Sequence, residues 1–228
     1  VPYTDRSLDI TDDAILYGPR NDRDEVIDKV LADINFACDN IEDNTSQTTW
    51  SRNLAYAMKA EICLYEGTFC KYRKADDYQK APNVERAKSY LKEAKTASLY
   101  LIAKSYKLNA SYQAQYNSVS LSGNTEIIFF KAYKQTVLTH SLIDYTCSST
   151  QLSGMSKNAF EAYLFTDGKP LALTSLNKSD LPKIVKKSTG DVLSITDLLK
   201  VRDKRLIQTI DTAVFYSGRV FTRFDVGM

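Results

Sequence analysis

A single histidine, four cysteines and a scatter of carboxylates are the side chains with reactive chemistry, and their spacing limits what they can do. A serine–histidine–acid triad must use His140, in KQTVLTHSLIDY, but no Gly-x-Ser-x-Gly elbow accompanies it. The stretch around it carries no strong period, so His140 reads as a loop histidine. Cys38, Cys63, Cys70 and Cys147 form no CxxC pair, and one histidine cannot complete the usual structural zinc sets. They read as small apolar residues. Glycosidases need two carboxyls flanking one bond. Asp76, Asp77, Glu126, Glu161, Asp167 and Asp203 supply carboxyls, yet nothing in the spacing brings two of them to one cleft. Asp76-Asp77 reads as a solvated loop. Asp203 reads as tied to Arg202 and Arg205 by charge-assisted hydrogen bonds, and Arg20 and Arg52 read as similar ties. The expectation is a protein without catalysis, metal or cofactor.

Binding chemistry is better represented. Sugar recognition needs flat apolar faces against the C–H side of a ring and planar polar groups for its hydroxyls. Trp50 is the best single aromatic and precedes the most strongly patterned helix. It can serve as such a face, or it can pack across the helix N-terminus. Fifteen tyrosines against nine phenylalanines also suit polar ligands, although tyrosine equally fills half-exposed positions.

Three helices must position these groups. Asn21 or Asp22 can cap the first, with Asp24 and Glu25 in its first turn. Val26, Val30, Ile34, Ala37, Cys38 and Ile41 then form a stripe to about Asn44. The second runs from Trp50 to Arg73, capped by Thr49 or Ser51, with Leu54, Ala57, Met58, Glu61, Ile62, Tyr65 and Phe69 at three- and four-residue steps. Ala55, Ala60, Cys63 and Leu64 add a second face, so this helix should lie between neighbours. Pro82 or Asn83 opens the third, lined by Val84, Ala87, Leu91, Ala94, Ala97, Leu101 and Ile102. Short connections predict antiparallel packing. The fold class expected is mostly α, with tetratricopeptide-like antiparallel helix pairs over 20–105, although no clean repeat is visible. A loop-rich part carrying short strands follows over 106–228.

Within that part, TEIIFFKA, residues 125–132, predicts a short buried strand. Ser156 can cap a short helix from Lys157 to Leu164, Asp167-Gly168 marks a turn, and a further helix is expected over Leu193–Val201. Thr209–Phe224 alternates weakly and fits strand, helix end or loop. Residues 1–43 hold 12 acidic and 4 basic side chains, whereas residues 44–112 hold 12 basic and 6 acidic. Such blocks pair with each other or face solvent more often than they mark a nucleic-acid site. No basic run with interleaved aromatics is present, so no nucleic-acid partner is expected. No apolar run approaches the ~20 residues of a membrane span. The chain opens VPYTDRS without an initiating Met and closes FTRFDVGM, which reads as a piece of a longer protein.

Four blocks carry a resemblance. RNDRDEVIDKVLADINFACDNI (20–41), AYAMKAEICLYEGTFCKYR (55–73), NTEIIFFKAY (124–133) and LSGMSKNAFEAYLFTDGKPL (152–171), the last followed by VRDKRLIQTI (201–210), occur in the order seen in the SusD/RagB family of Bacteroidetes. The chain resembles that family over nearly its whole length. Phe69-Cys70 stands where Trp and Arg are usual, Tyr72-Arg73 where Tyr-His is usual, and Lys204 where Pro is common. The resemblance implies a helical scaffold of tetratricopeptide-like pairs with a loop-rich part packed on it, the chain being one fragment of a larger domain. It implies a non-catalytic glycan- or nutrient-binding lipoprotein, anchored outward-facing on the outer membrane by a lipidated cysteine outside this chain. Its partners would be an oligo- or polysaccharide and a SusC-like, TonB-dependent transporter. It places ligand contacts in the loop-rich part, where Tyr133, Tyr145, Tyr216 and Phe221 supply aromatic faces and Asn117, Asn124 and Arg219 polar groups. With Trp50 these are the candidate site residues. The alternative is a tetratricopeptide-like scaffold for protein partners without glycan binding.

Overall fold

The computed structural model describes residues 3–75, 80–134, 136–139, 141, 154–176, 199–210, 213–216 and 219–223. The chain divides into two compact units, residues 1–108 with 120–132, and residues 109–119 with 133–228. The regular structure is mostly helical, with one two-stranded hairpin among the described residues. No helix among them is long and apolar enough to cross a membrane.

The first unit is built on three long helices after a short α1 (Asp13–Leu16): α2 (Arg23–Asn40), α3 (Arg52–Tyr72) and α4 (Val84–Ile102). Each long helix starts where a short polar side chain satisfies an otherwise unpaired amide of the first turn. Asp22 accepts from the Asp24 amide at 2.8 Å, Ser51 from Leu54 at 3.2 Å and Asn83 from Arg86 at 2.9 Å. Asp24 and Glu25 sit at the positive end of α2. Helix α3 packs on both α2 and α4. The pairs run antiparallel. Along α3, Glu66, Lys59 and Tyr56 meet Arg86, Glu93 and Tyr100 of α4 in turn. On the other side Arg73 meets Asp24 near the start of α2, and Arg52 reaches the Ile41 carbonyl at its end.

The buried side of α3 differs from the expected stripe. Ala55, Lys59, Cys63, Glu66, Gly67 and Cys70 are buried, whereas Glu61, Leu64 and Tyr65 face outward. On α4 the buried residues are Ala87, Tyr90, Ala94 and Ala97. Small residues let two backbones approach, so burial follows side-chain size at the crossing rather than apolar bulk. Gly67 marks the closest point: a Cβ there would lie 2.6 Å from Leu91 Cγ and 3.1 Å from the Ala87 carbonyl oxygen. Cys63, Tyr90 and Ala94 form the core cluster, and Ile27 and Leu31 of α2 pack against it.

Residues 125–132 form no strand. The Ile127 carbonyl and the Phe130 amide bond one distant residue, Gln47, and the Thr125 carbonyl accepts from the Lys107 amide, in place of a neighbouring strand. Gln47 Nε2 donates to the carbonyls of Asn124 (2.8 Å) and Ile127 (2.6 Å), and its Oε1 accepts from the Gly123 amide (2.9 Å). The Phe130 amide donates to the Gln47 carbonyl at 2.8 Å. Glu126, Ile127, Ile128 and Phe130 are half-buried without a ladder, and the other residues of the stretch are exposed. Gln47→Ala removes all three side-chain bonds, two of them to half-buried carbonyls. We expect a loss of about 1–3 kcal/mol, with hydrogen exchange at the Gly123 amide accelerating well beyond that of the α3 amides.

In the second unit, α5 (Ala114–Asn117), α6 (Lys157–Ala162) and α7 (Lys204–Ile207) are short. Ser156 caps α6 through the Ala159 amide at 3.2 Å, and α6 stops before the expected Leu164. Gly168, at φ 75°, takes the left-handed position of the expected turn. Strands β1 (Ala213–Tyr216) and β2 (Arg219–Arg223) pair antiparallel with a register irregularity between Val214 and Phe215. Within the ambiguous 209–224 stretch, residues 213–216 and 219–223 are strand. Of the helix expected over Leu193–Val201, residues 193–198 lie outside the described residues.

Candidate functional site: an aromatic shelf beside a polar cleft

The acidic and basic blocks do pair. Asp24, in the first turn of α2, accepts two bonds from Arg73, at 2.8 and 3.1 Å, and lies 3.3 Å from Lys80. Asp22 takes Lys80 at 2.5 Å, and Arg86 lies 2.8 Å from Asp28. The Tyr90 hydroxyl donates to Asp28 at 2.6 Å. Glu66, only 1% exposed, meets Arg23 at 2.7 Å and Arg86 at 3.4 Å. The guanidinium of Arg23 also lies 3.9 Å from the centre of the Phe69 ring. Asp24, Glu66 and Cys70 bring three possible metal ligands within 4.8 Å. The space is already held by guanidiniums, and a divalent ion would have to displace them. Burial, aided by a hydrogen bond to Glu66, pushes the Cys70 thiol up to about 11, so it is a poor thiolate ligand or nucleophile. Burial raises Cys63 to about 11 as well. This network ties three helices together.

Its pH dependence follows. The Arg73 guanidinium holds the Asp24 carboxyl down at about 2, against an ordinary 3.8. A carboxylate depressed in the folded state stabilises it fully above its unfolded pKa, and the contribution is lost as pH falls through the folded value. The melting temperature should therefore drop between about pH 4 and pH 2, and Asp24→Asn should flatten that drop while lowering stability at neutral pH.

Three of the carboxyls considered for catalysis, Asp167, Asp203 and Glu161, are individually occupied. Asp167 accepts from Thr174 Oγ1 at 2.7 Å, from the Ser175 amide and hydroxyl, and from the Lys169 amide; these bonds, the Thr174 one foremost, pull its pKa down. Asp203 caps α7 and pairs with Arg205, which holds it at about 2. Glu161 lies 3.6 Å from Lys157. Arg202 does not join Asp203. It is buried 3.9 Å over the Phe165 ring and donates to the Tyr163 carbonyl. His140, Cys147 and the Asp76-Asp77 pair lie outside the described residues.

Trp50 lies in the loop before α3 and is 64% exposed, its ring stacked on Phe129 with centroids 6.3 Å apart and planes inclined 24°. Its carbonyl accepts from Asn44 Nδ2 at 3.0 Å, and the adjacent Ser51 caps α3, so its backbone is fixed on both sides. Beside this shelf opens a cleft of about 490 Å³, lined by residues 43–47, Asn53, 104–106, 123–125 and Ile128. Asn124, named from the sequence, is on its wall. Asp43 and Lys104, both among its lining residues, pair at 3.1 Å. Asp43, Asn53 and Lys104 were not singled out from the sequence, because they belong to a loop and two helix ends that meet only in the fold.

The other sequence-named residues belong to the second unit. Tyr133 is 48% exposed, next to the isolated bridge between Lys134 and Leu138. Tyr216 and Arg219 are paired positions on the two strands of the hairpin, and Phe221 follows on β2. Asn117 ends α5. Tyr145 lies outside the described residues. Of the sequence-named residues, Asn124 lines the cleft, and Trp50 adjoins it through the Asn44 bond to its carbonyl.

The fold and site define a helical protein with an exposed aromatic shelf and a polar cleft. Comparison with known protein families, characterised proteins and solved structures finds no match.

Proposed function

We propose that this protein is a non-catalytic glycan- or nutrient-binding protein of the outer-membrane surface, delivering its ligand to a TonB-dependent, SusC-like transporter. The single observation that carries the binding role is Trp50. A large indole left 64% exposed and stacked on a second ring, beside an amide-lined cleft, is the arrangement that sugar stacking requires. The transporter partner, the lipid anchor and the outward-facing location rest on the four ordered blocks that resemble the SusD/RagB family. Antiparallel packing of α2 on α3 and α3 on α4 supports tetratricopeptide-like pairing within that reading.

The test is calorimetry of the protein against a panel of glycans, with Trp50→Ala alongside. Saturable binding to one polysaccharide class, weakened at least tenfold in the variant with folding intact, is the expected result; one aromatic stack contributes about 0.5–1.5 kcal/mol beyond its buried area. A second reading, a scaffold for protein partners only, is favoured by the outward-facing Leu64, Tyr65 and Tyr72 on α3. Silence on glycans together with tight binding to a barrel partner would select it.

A further inference from the structure

The outer sides of α2 and α4 carry opposite charge at matching spacing. Helical periodicity brings Glu25, Asp28, Ala32, Phe36 and Asp39 to the side of α2 turned away from the core, with Asp33 at its edge, and all are exposed. The corresponding side of α4 carries Lys88, Lys92, Lys95, Leu99 and Ile102, also exposed. We infer that these two faces dock on one another between copies of this chain, α2 of one copy lying on α4 of the next. The contact stands whether or not the protein binds glycan.

Three observations carry it. The first is which charges are spare. Asp28 is taken up by Arg86 and Tyr90, Lys88 by Glu85, and Glu93 by Lys59. Glu25, Asp33 and Asp39 of α2, and Lys92 and Lys95 of α4, have no ion-pair partner among the described residues. The fold thus pairs the inner charges of the acidic and basic blocks and leaves acids outermost on one helix, lysines outermost on the other. The second is apolar area within those faces. Phe36 is 70% exposed, Leu99 54% and Ile102 75%. A solvated charged face leaves these side chains in water, whereas a partner helix covers them. The third is register. With the two helices parallel and Phe36 level with Leu99, Glu25 falls level with Lys88 and one turn from Lys92, and Ala32-Asp33 falls level with Lys95. The small Ala32 leaves space for the Lys95 stem. Lys29 falls level with Lys92, but its ammonium lies over the Tyr3 ring. An antiparallel arrangement would set Phe36 among the lysines and Glu25 against Leu99. Because the two faces differ, the contact is heterologous, and copies add until a ring closes or a chain grows. One helix pair buries less than the ~1,600 Å² of a standard interface, so the association is weak, in roughly the micromolar range.

The test follows the whole 228-residue chain by sedimentation velocity, from about 5 to about 200 μM, in about 50 mM and about 500 mM salt. The expected result is a mass that rises past two chains with concentration at low salt, with affinity weakened about tenfold or more at high salt. Lys92→Glu/Lys95→Glu makes both faces acidic, and Glu25→Lys/Asp33→Lys makes both basic, so each variant alone should stay monomeric. All four side chains are exposed, and circular dichroism checks that each variant folds. An equimolar mixture of the two variants should recover association, since each face then meets its opposite. Misfolding could not be rescued in this way. A wild type that stays monomeric throughout overturns the inference; if it then floats with phosphatidylglycerol vesicles, the basic face serves a lipid surface instead. Association that both variants retain, or that mixing fails to restore, overturns the pairing of α2 with α4.

Discussion

Arg73→Ala is expected to lower the stability of the first unit by about 3–5 kcal/mol, the range for removing one partner of a buried ion pair. Arg73 has a side chain only 3% exposed and makes three bonds: two to Asp24 and one from Nε to the Ala81 carbonyl. Removing it leaves the Asp24 carboxylate, 18% exposed, leaning on Lys80 and the more distant Arg86. It also unties the start of α2 from the end of α3. Against a total stability of about 5–15 kcal/mol for an ordinary domain, such a loss is severe. Arg73→Lys should recover only part of it, because an ammonium cannot make the bidentate fork. Urea denaturation of both variants measures this. A loss under about 1 kcal/mol for Arg73→Ala would mean that Lys80 alone holds Asp24.

Gly67→Leu is expected to cost about 1–3 kcal/mol or more by overpacking the α3–α4 crossing. The first added carbon already meets Leu91 at 2.6 Å and the Ala87 carbonyl oxygen at 3.1 Å. The Leu91 side chain can swing aside, but the carbonyl belongs to the α4 backbone, so the helices must separate. Gly67→Ala tests the balance more finely. Helix propensity favours alanine by about 1 kcal/mol, and the contact opposes it. Leu91→Ala in the Gly67→Leu background should recover part of the loss, a coupling that a double-mutant cycle reads directly. Near-equal melting of wild type and Gly67→Leu would show that the two helices are less tightly apposed than this geometry requires.

The sequence by itself determined the three long helices, each start to within a residue or two, and their antiparallel order; the fold then chose Asp22, Ser51 and Asn83 as the caps and paired the acidic with the basic block rather than leaving both to solvent. Caps, short linkers and charge sign act within a turn or through simple attraction, so local pattern carries them. Tertiary structure alone decided which side of α3 is inside. Of the two faces read from the sequence, the longer stripe through Tyr65 is not the most buried one; close approach selected Ala55 and Cys63 of the second face, added Gly67, and ion pairing made Lys59 and Glu66 acceptable there. It also decided the fate of residues 125–132. Strand propensity needs a partner backbone, and here Gln47, 80 residues from Ile127, takes those bonds instead. The candidate site divides the same way. Trp50 was legible because an indole at a helix entrance stands out. The cleft was not, because Asp43, Asn53 and Lys104 are ordinary polar residues until the end of α2's loop, the start of α3 and the end of α4 are brought to one place.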